Sequence, residues 1–265
     1  MSIHPSARIH PSSVVEDGAV IGEEAVVGPF CLIGPEVVLG ARVHVKSHAV
    51  ITGATEIGED TVVFSFATLG EVPQDLKFKG EKSRLIIGKR NRIREHVTMN
   101  TGTEGGGYIT RVGDDGLFMA GAHVAHDCQI GNNVILVNNV AIAGHCVLED
   151  EVIVGGLSGV HQWVRIGRGA MIGAVTMVTA DVIPHGLVQG PRAHLEGLNL
   201  VGLKRRGADR AAVHGLRDLY TALGEGSFRE TARKMSEQGG ADGEYVREVL
   251  AFILGPSDRS FLTPR

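Results

Sequence analysis

An apolar residue recurs every six positions along most of this chain, and that regularity restricts the architecture more than any other feature. The first run is Ile3, Ile9, Val15, Ile21, Val27, Ile33, Leu39, Val45, Ile51, Ile57, Val63 and Leu69. A short run follows at Ile87, Ile93 and Met99, and the last extends from Val112 through Val124, Ile142 and Val160 to Val178. Neither a helical period of 3.6 nor simple alternation yields a strict step of six. A short fixed repeat is the mark of a solenoid, whose units bury their faces by stacking on their neighbours. Gly often follows the apolar residue, as at Gly22, Gly28, Gly40 and Gly131, and the position two before it is small, as at Ala19, Ala25, Cys31 and Ala67. This is the hexapeptide pattern of a parallel β-helix. Three hexads per coil make a triangular prism, so residues eighteen apart stack at roughly the 4.8 Å strand spacing.

The repeat is interrupted twice. Residues 71–84 and 100–111 are polar and rich in Gly or charge. They are expected to loop off the prism, where insertions cost little stability and often carry function. The repeat ends near Val178. After a connection bearing Pro184 and Pro191, three amphipathic stripes follow: Val213, Leu216, Leu219, Tyr220 and Leu223, then Phe228, Ala232 and Met235, then Val246, Val249, Leu250 and Ile253. Gly224 and Gly255 are plausible helix stops. The expected organisation is a mainly β prism over 1–190 and an α-helical domain over 191–265 that caps its last coil and shields the strand edge.

Composition narrows the functional classes. Gly, at 37 of 265 residues, suits a fold built from turns, and a formal net charge of -4 gives no general reason to expect nucleic acid. Residues 1–20 contain no uninterrupted apolar core of a signal peptide, and no stretch matches a membrane span, so a cytoplasmic protein is expected. Cys31, Cys128 and Cys146 all occupy the small inward slot and read as core filler. Cys128 and Cys146 are eighteen apart, so a disulfide is geometrically conceivable, but a cytosol would keep it reduced.

The histidines carry the chemistry. With Val124, Ile142 and Val160 as phase zero on successive coils, His123 falls at -1, His126 at +2, His145 at +3 and His161 at +1. Four of the 12 histidines thus converge on one side of three coils, none in an inward slot. Asp127 stacks beneath His145, and His126 beneath Gly144. A histidine oriented by a carboxylate can take a proton from a hydroxyl. A backbone N–H one coil above, at Gly144, can face a developing oxyanion. Base plus oxyanion donor suits acyl transfer to an alcohol. No Ser lies in a nucleophile elbow, so direct attack by the acceptor hydroxyl is favoured over an acyl-enzyme. The competing chemistries are a zinc site built from three imidazoles and a scaffold without catalysis.

At this point the residues match a family. The segments "GEVPQDLKF" (70–78), "RNRIREHVTMN" (90–100), "GAHVAHDCQIGNN" (121–133), "AGHCVLED" (143–150), "GGLSGVHQW" (155–163) and "GLNLVGLKRRG" (197–207) resemble the acyl-carrier-protein-dependent UDP-N-acetylglucosamine O-acyltransferases that begin lipid A biosynthesis. Resemblance extends over essentially the whole chain, and the pairing of "HVAHDC" with "GLKRRG" is its most specific part. It implies a left-handed parallel β-helix, an exception to the usual right-handed crossover, assembled as a homotrimer with active sites between subunits. It implies that a 3-hydroxyacyl chain moves from acyl carrier protein, where it rides on phosphopantetheine, to the sugar 3-hydroxyl, with no metal or other cofactor. It makes His126 the general base, Asp127 its support and Gly144 the oxyanion donor. Asp75 and Lys77 would bind sugar and phosphate; His123, His145, His161 and Gln162 would line the cleft. Asn199, Arg205 and Arg206 would hold the nucleotide or the carrier's phosphopantetheine, since arginine forks suit phosphate. Ala174 aligns with the residue that limits acyl length.

Two positions depart from the family. Thr101 stands where "MNRGT" carries Arg, and Val201 where many members have Glu. These changes leave room for a 3-amino sugar nucleotide as acceptor. The related N-acyltransferase is set apart by an added N-terminal uridine-binding domain, whereas here the repeats begin at Ile3. A γ-type carbonic anhydrase accounts for the histidines but not for the insertions, "GLKRRG" or the helical tail.

Overall fold

The computed structural model describes residues 2–237 and 243–264. The step of six becomes a three-walled left-handed parallel β-helix, with walls of nine, eleven and nine strands. Wall one runs from Ser2–Ile3 to Arg165–Ile166, wall two begins at Arg8–Ile9, and wall three runs from Val14–Val15 to Met177–Val178. Strands eighteen residues apart pair in parallel register, as Val124 with Ile142 and Ile142 with Val160. Each coil therefore places its repeat residue on the one below. Ile33, Ile51, Leu69, Met99, Val124 and Ile142 are completely buried, and Cys31, Ala49, Ala67, Val97, Ala122 and Val140, two before them, are buried as well. Burying each such side chain contributes about 1.5–3 kcal/mol, and stacking makes every coil depend on its neighbours.

Between walls the chain turns through a left-handed residue three after the repeat position. At the corner joining wall three to wall one these are Asp127, His145 and Trp163, with φ of 61°, 61° and 67°. Asp and His tolerate this conformation better than most residues. Because the corner recurs once per coil, the three side chains form a column on the outside of the prism.

The two interruptions are insertions into the coil. Ile57 pairs with Ile87 and Ile87 with Val112, longer steps than the regular eighteen. Strands at Thr68–Glu71, Arg84–Ile87, Thr98–Asn100 and Ile109–Val112 extend into them, so the excursions proper are shorter than 71–84 and 100–111. Ser83 Oγ donates to Thr101 Oγ1 at 2.9 Å in a buried contact that ties one insertion to the other. The departure at Thr101 therefore has a structural role.

Wall two continues past residue 190. Gly186–Gln189 joins it in parallel, and His194–Leu198 adds an antiparallel strand before the helices begin. The helices are α1 (Leu200–Arg205), α2 (Arg210–Gly224), α3 (Phe228–Glu237) and α4 (Glu244–Leu254). The last three carry the apolar stripes: Leu216, Leu219, Leu223, Phe228, Ala232, Val246, Val249, Leu250 and Ile253 are buried. Helix α1 was not legible, because its six residues bury only Leu203 and show no apolar stripe; Asn199 caps it by accepting the Gly202 N–H at 2.9 Å. Tyr220 Oη donates to Leu195 O at 2.9 Å, joining α2 to the added strand. The three cysteines are free and buried, and the Cys128 and Cys146 thiols each approach a carbonyl of the next coil at 3.1 Å.

Candidate active site

The third corner brings His126, Asp127 and Gly144 together. The His126 Nδ1 lies 2.7 Å from Asp127 Oδ2. Asp127 also accepts the Thr103 N–H at 2.7 Å on Oδ1 and the Thr103 hydroxyl at 2.6 Å on Oδ2. Its own N–H donates to Thr110 Oγ1 at 2.7 Å. The carboxylate is thus held on every side, and with Nδ1 bound to it the histidine keeps Nε2 for a substrate. Gly144 stands one coil above. Any side chain there would overlap the His126 ring, so the close approach of backbone to imidazole requires glycine. Among the described residues the Gly144 N–H has no partner within the chain.

The histidine face lies outside the prism but is not freely exposed. His126 is 4% exposed and Asp127 equally covered. The first insertion brings Gln74 to the cleft that His126 lines, and the second packs Thr103 and Gly106 against Asp127. Two clefts flank the base. One, of about 400 Å³, is lined by Gln74, His123, His126, Gly144, His161 and Gln162, with Met177 further along. The other, of about 570 Å³, lies between Asp75 and Lys77, Thr103 to Gly105, and the pair His145–Trp163.

The surrounding histidines sit in distinct environments. His123 Nδ1 pairs with Thr98 Oγ1 at 2.7 Å, and burial, then the neighbouring His126, pushes its pKa down. His145 stacks on the Trp163 indole, centroids 3.7 Å apart and planes within 4°, and meets His126 edge-on at 4.9 Å. Burial lowers its pKa against the opposing pull of Asp127. Both rings therefore favour the neutral form. His126, Asp127 and His145 are the one described cluster with the donor set for a metal ion. Its carboxylate, however, is already engaged by Thr103 and His126, and hydrogen bonding rather than ligation accounts for its geometry.

The remaining predicted residues divide. Asp75 and Lys77 are linked by a 3.0 Å hydrogen bond from the Lys77 N–H to Asp75 Oδ1 and face His145 across the second cleft. Asn199, Arg205 and Arg206 are elsewhere, near the corner joining walls one and two. Asn199 Nδ2 donates to Gly169 O at 3.0 Å. The Arg206 side chain, expected to hold phosphate, instead turns inward, with Nη2 3.0 Å from His185 Nδ1 and Nε 3.2 Å from Glu151. Arg205 is exposed. Ala174 is exposed on the corner between walls two and three and does not line either cleft; Met177, on wall three, does. Sequence reasoning missed Thr103, Thr98 and Trp163. Trp163 shares the phase of Asp127 and His145, so its column was there to be found; Thr98 precedes Met99 as His123 precedes Val124 and was equally within reach, whereas Thr103, in the second insertion, had no periodic signal.

The sequence and the fold have known relatives. The family described as UDP N-acetylglucosamine O-acyltransferase, domain 2, matches residues 181–262, and the bacterial transferase hexapeptide family matches 1–35 and 18–53. An acyl-[acyl-carrier-protein]–UDP-N-acetylglucosamine O-acyltransferase of Paracoccus denitrificans is 78% identical over 203 residues, 77% of each chain. The chain belongs to the UDP-N-acetylglucosamine O-acyltransferase family. A Rhizobium johnstonii relative with the same description is 50% identical over 226 residues, 84% of this chain and 83% of that one. The solved UDP-N-acetylglucosamine acyltransferase of Campylobacter jejuni is 39% identical, covers 97% of this chain and all of its own, and superposes with a TM-score of 0.91. Family members are acyltransferases, and neither a carbonic anhydrase nor a scaffold is favoured beside them.

Proposed function

We propose that this chain transfers a 3-hydroxyacyl group from acyl carrier protein to the 3-hydroxyl of UDP-N-acetylglucosamine, with His126 as general base. The observation that carries the reading is the chain Thr103–Asp127–His126 set beneath the free Gly144 N–H. Asp127 binds Nδ1 and leaves the Nε2 lone pair for the acceptor hydroxyl. As Nε2 takes the proton, the hydroxyl oxygen attacks the thioester carbonyl carbon. Gly144 N–H stabilises the oxyanion. Collapse forms the ester, breaks the C–S bond and returns the proton from Nε2 to the departing sulfur. No group beyond the two substrates is needed for balance. Asp75 and Lys77 are suited to the sugar and its phosphates, and His123, His145, His161 and Gln162 to the walls of the cleft.

We propose a homotrimer, a reading that the position of the phosphate-binding candidates supports. Within one chain, Arg205 and Asn199 belong to a different edge of the prism from His126, so one nucleotide sugar engages both only if a neighbouring subunit supplies the second set. Leu76 at the tip of the first insertion is fully exposed and Trp163 is 53% exposed, which suits a wall completed by another copy. No described helix is long and apolar enough to cross a membrane, and a cytoplasmic setting agrees with a substrate delivered by acyl carrier protein.

The test is a product assay by mass spectrometry, with 3-hydroxyacyl carriers of graded length offered to UDP-N-acetylglucosamine and to its 3-amino analogue. An ester product from the hydroxyl acceptor supports the reading. An amide formed in large preference would instead make the departures at Thr101 and Val201 specificity changes. Light scattering of the active protein should give three chains, and an active monomer would overturn the shared site.

A further inference from the structure

After α4 the chain doubles back along the end of the prism. Phe261 bridges to Asp181, and Pro264 to Leu195. Asp181 is fully buried and anchors this strap: its N–H donates to Ser260 O at 2.8 Å, its carbonyl accepts Leu262 N–H at 2.9 Å, and its carboxylate accepts Ser257 Oγ at 2.8 Å. The Phe261 ring stacks on Phe228, centroids 5.4 Å apart. The Arg259 side chain takes no part in these contacts, although its backbone N–H donates to Ser257 Oγ at 3.1 Å. Its guanidinium reaches out of the strap to the catalytic face, with Nη2 2.7 Å from His161 Nδ1 and also on Gln162 O, and Nη1 3.0 Å from Thr179 O.

Arginine offers only donors and stays protonated. Against it, His161 Nδ1 must be the acceptor, which puts the ring's proton on Nε2. The 3.2 Å separation of His161 Nδ1 from Gln162 O is then two acceptors sharing one Arg259 nitrogen, not a bond between them. Nε2–H is left as the one polar group of this ring without a partner among the described residues, and the ring lines the same cleft as His126 and Gly144.

We propose that Arg259 is a positioning residue of the transfer site: it fixes the tautomer and orientation of His161, so that Nε2–H is presented as a donor to a substrate oxygen. The proposal rests on the reading of His161 as a wall of the acyl-transfer cleft. Arg259 acts through His161 and need not touch substrate.

A double-mutant cycle in the full-length protein tests it. Arg259→Ala should lower kcat/KM about ten-fold, the scale of losing one charge-assisted hydrogen bond, while melting stays near wild type. Adding Arg259→Ala to His161→Ala should produce no further loss, and Arg259→Lys should recover part of the activity. In histidine-labelled protein, the ¹⁵N signals of His161 should lose the Nε2–H pattern in Arg259→Ala. Equal losses in both backgrounds, or an unchanged tautomer, would overturn the proposal. So would Phe261→Leu reproducing the loss, since it loosens the strap at the Phe228 stack without touching His161 or a hydrogen bond of Arg259. Wild-type turnover in His161→Ala would instead remove the cleft reading on which the proposal stands, and the proposal with it.

Discussion

Asp127 and His126 are adjacent in sequence, and yet their side chains meet: Oδ2 lies 2.7 Å from Nδ1 because Asp127 occupies the left-handed corner and Thr103 pins its carboxylate from the second insertion. Removing the charge while keeping the shape, as in Asp127→Asn, should lower kcat by about two orders of magnitude, the scale of losing an oriented base. Thr103→Val deletes one hydrogen bond to the carboxylate, so its loss should be about ten-fold in kcat with KM little changed. Steady-state kinetics check both. A Thr103→Val protein as impaired as Asp127→Asn would show that the hydroxyl does more than hold the carboxylate.

Gly144→Ala places a methyl group where the His126 ring stands. The coil can still stack, because the collision is with an outward side chain and not with the wall. Circular dichroism and chain assembly should stay near wild type while kcat falls at least about a hundred-fold. Retained turnover would mean that the base sits elsewhere in the working enzyme.

Arg205 and Arg206 should separate. Arg206 is paired with Glu151 and His185 in a mostly buried network, and Arg206→Ala should destabilise the fold by on the order of 3 kcal/mol. Exposed Arg205→Ala should leave melting unchanged and raise KM for a phosphate-bearing substrate. Thermal melts and Michaelis curves for the pair decide it. If Arg206→Ala melts like wild type and only KM rises, its inward pairing does not persist with substrate.

Burial lowers the pKa of His123 and His145 in the fold. The unfolded chain therefore binds more protons than the native one just below the unfolded histidine pKa of about 6.5. Their contribution is fully present above that value and is lost progressively as the pH falls toward their lowered folded values. His123→Gln should flatten the fall in melting temperature between pH 7.5 and 5.5. A slope identical to wild type would place the acid sensitivity on other groups.

Acyl length has two candidate determinants. Each buried methylene is worth about 0.8 kcal/mol, so a wall that ends the groove discriminates between chains two carbons apart. Met177 lies beyond Gly159 on wall three and lines the cleft beside His126; Met177→Ala should shift preference to a longer chain. Ala174→Met should shift it to a shorter one if the groove turns around the corner toward residue 174. Product profiles across graded carriers separate the two, and identical profiles for wild type and both variants would put the limit outside this end of the prism.

The prism was legible because six-residue periodicity survives any local variation, and phase alone stacked His126 under Gly144 and Asp127 under His145. What periodicity could not supply was anything that closes on the prism from far along the chain. Gln74 reaches the cleft that His126 lines, and Asp127 is gripped by Thr103, from insertions that obey no repeat. The motif around Arg206 reads as a phosphate clamp, but Glu151 and His185, whose positions depend on coil stacking, draw its side chain inward. Arg259 lies ninety-eight residues from His161 and meets it only because the strap returns.

The central claim is that His126 is the base. The most direct measurement is turnover of UDP-N-acetylglucosamine with a 3-hydroxyacyl carrier by His126→Ala, run beside wild type with product identified by mass spectrometry. A loss of at least about two orders of magnitude, with chain assembly and melting retained, is the predicted result. Turnover near wild type, with the same ester formed, would contradict the account.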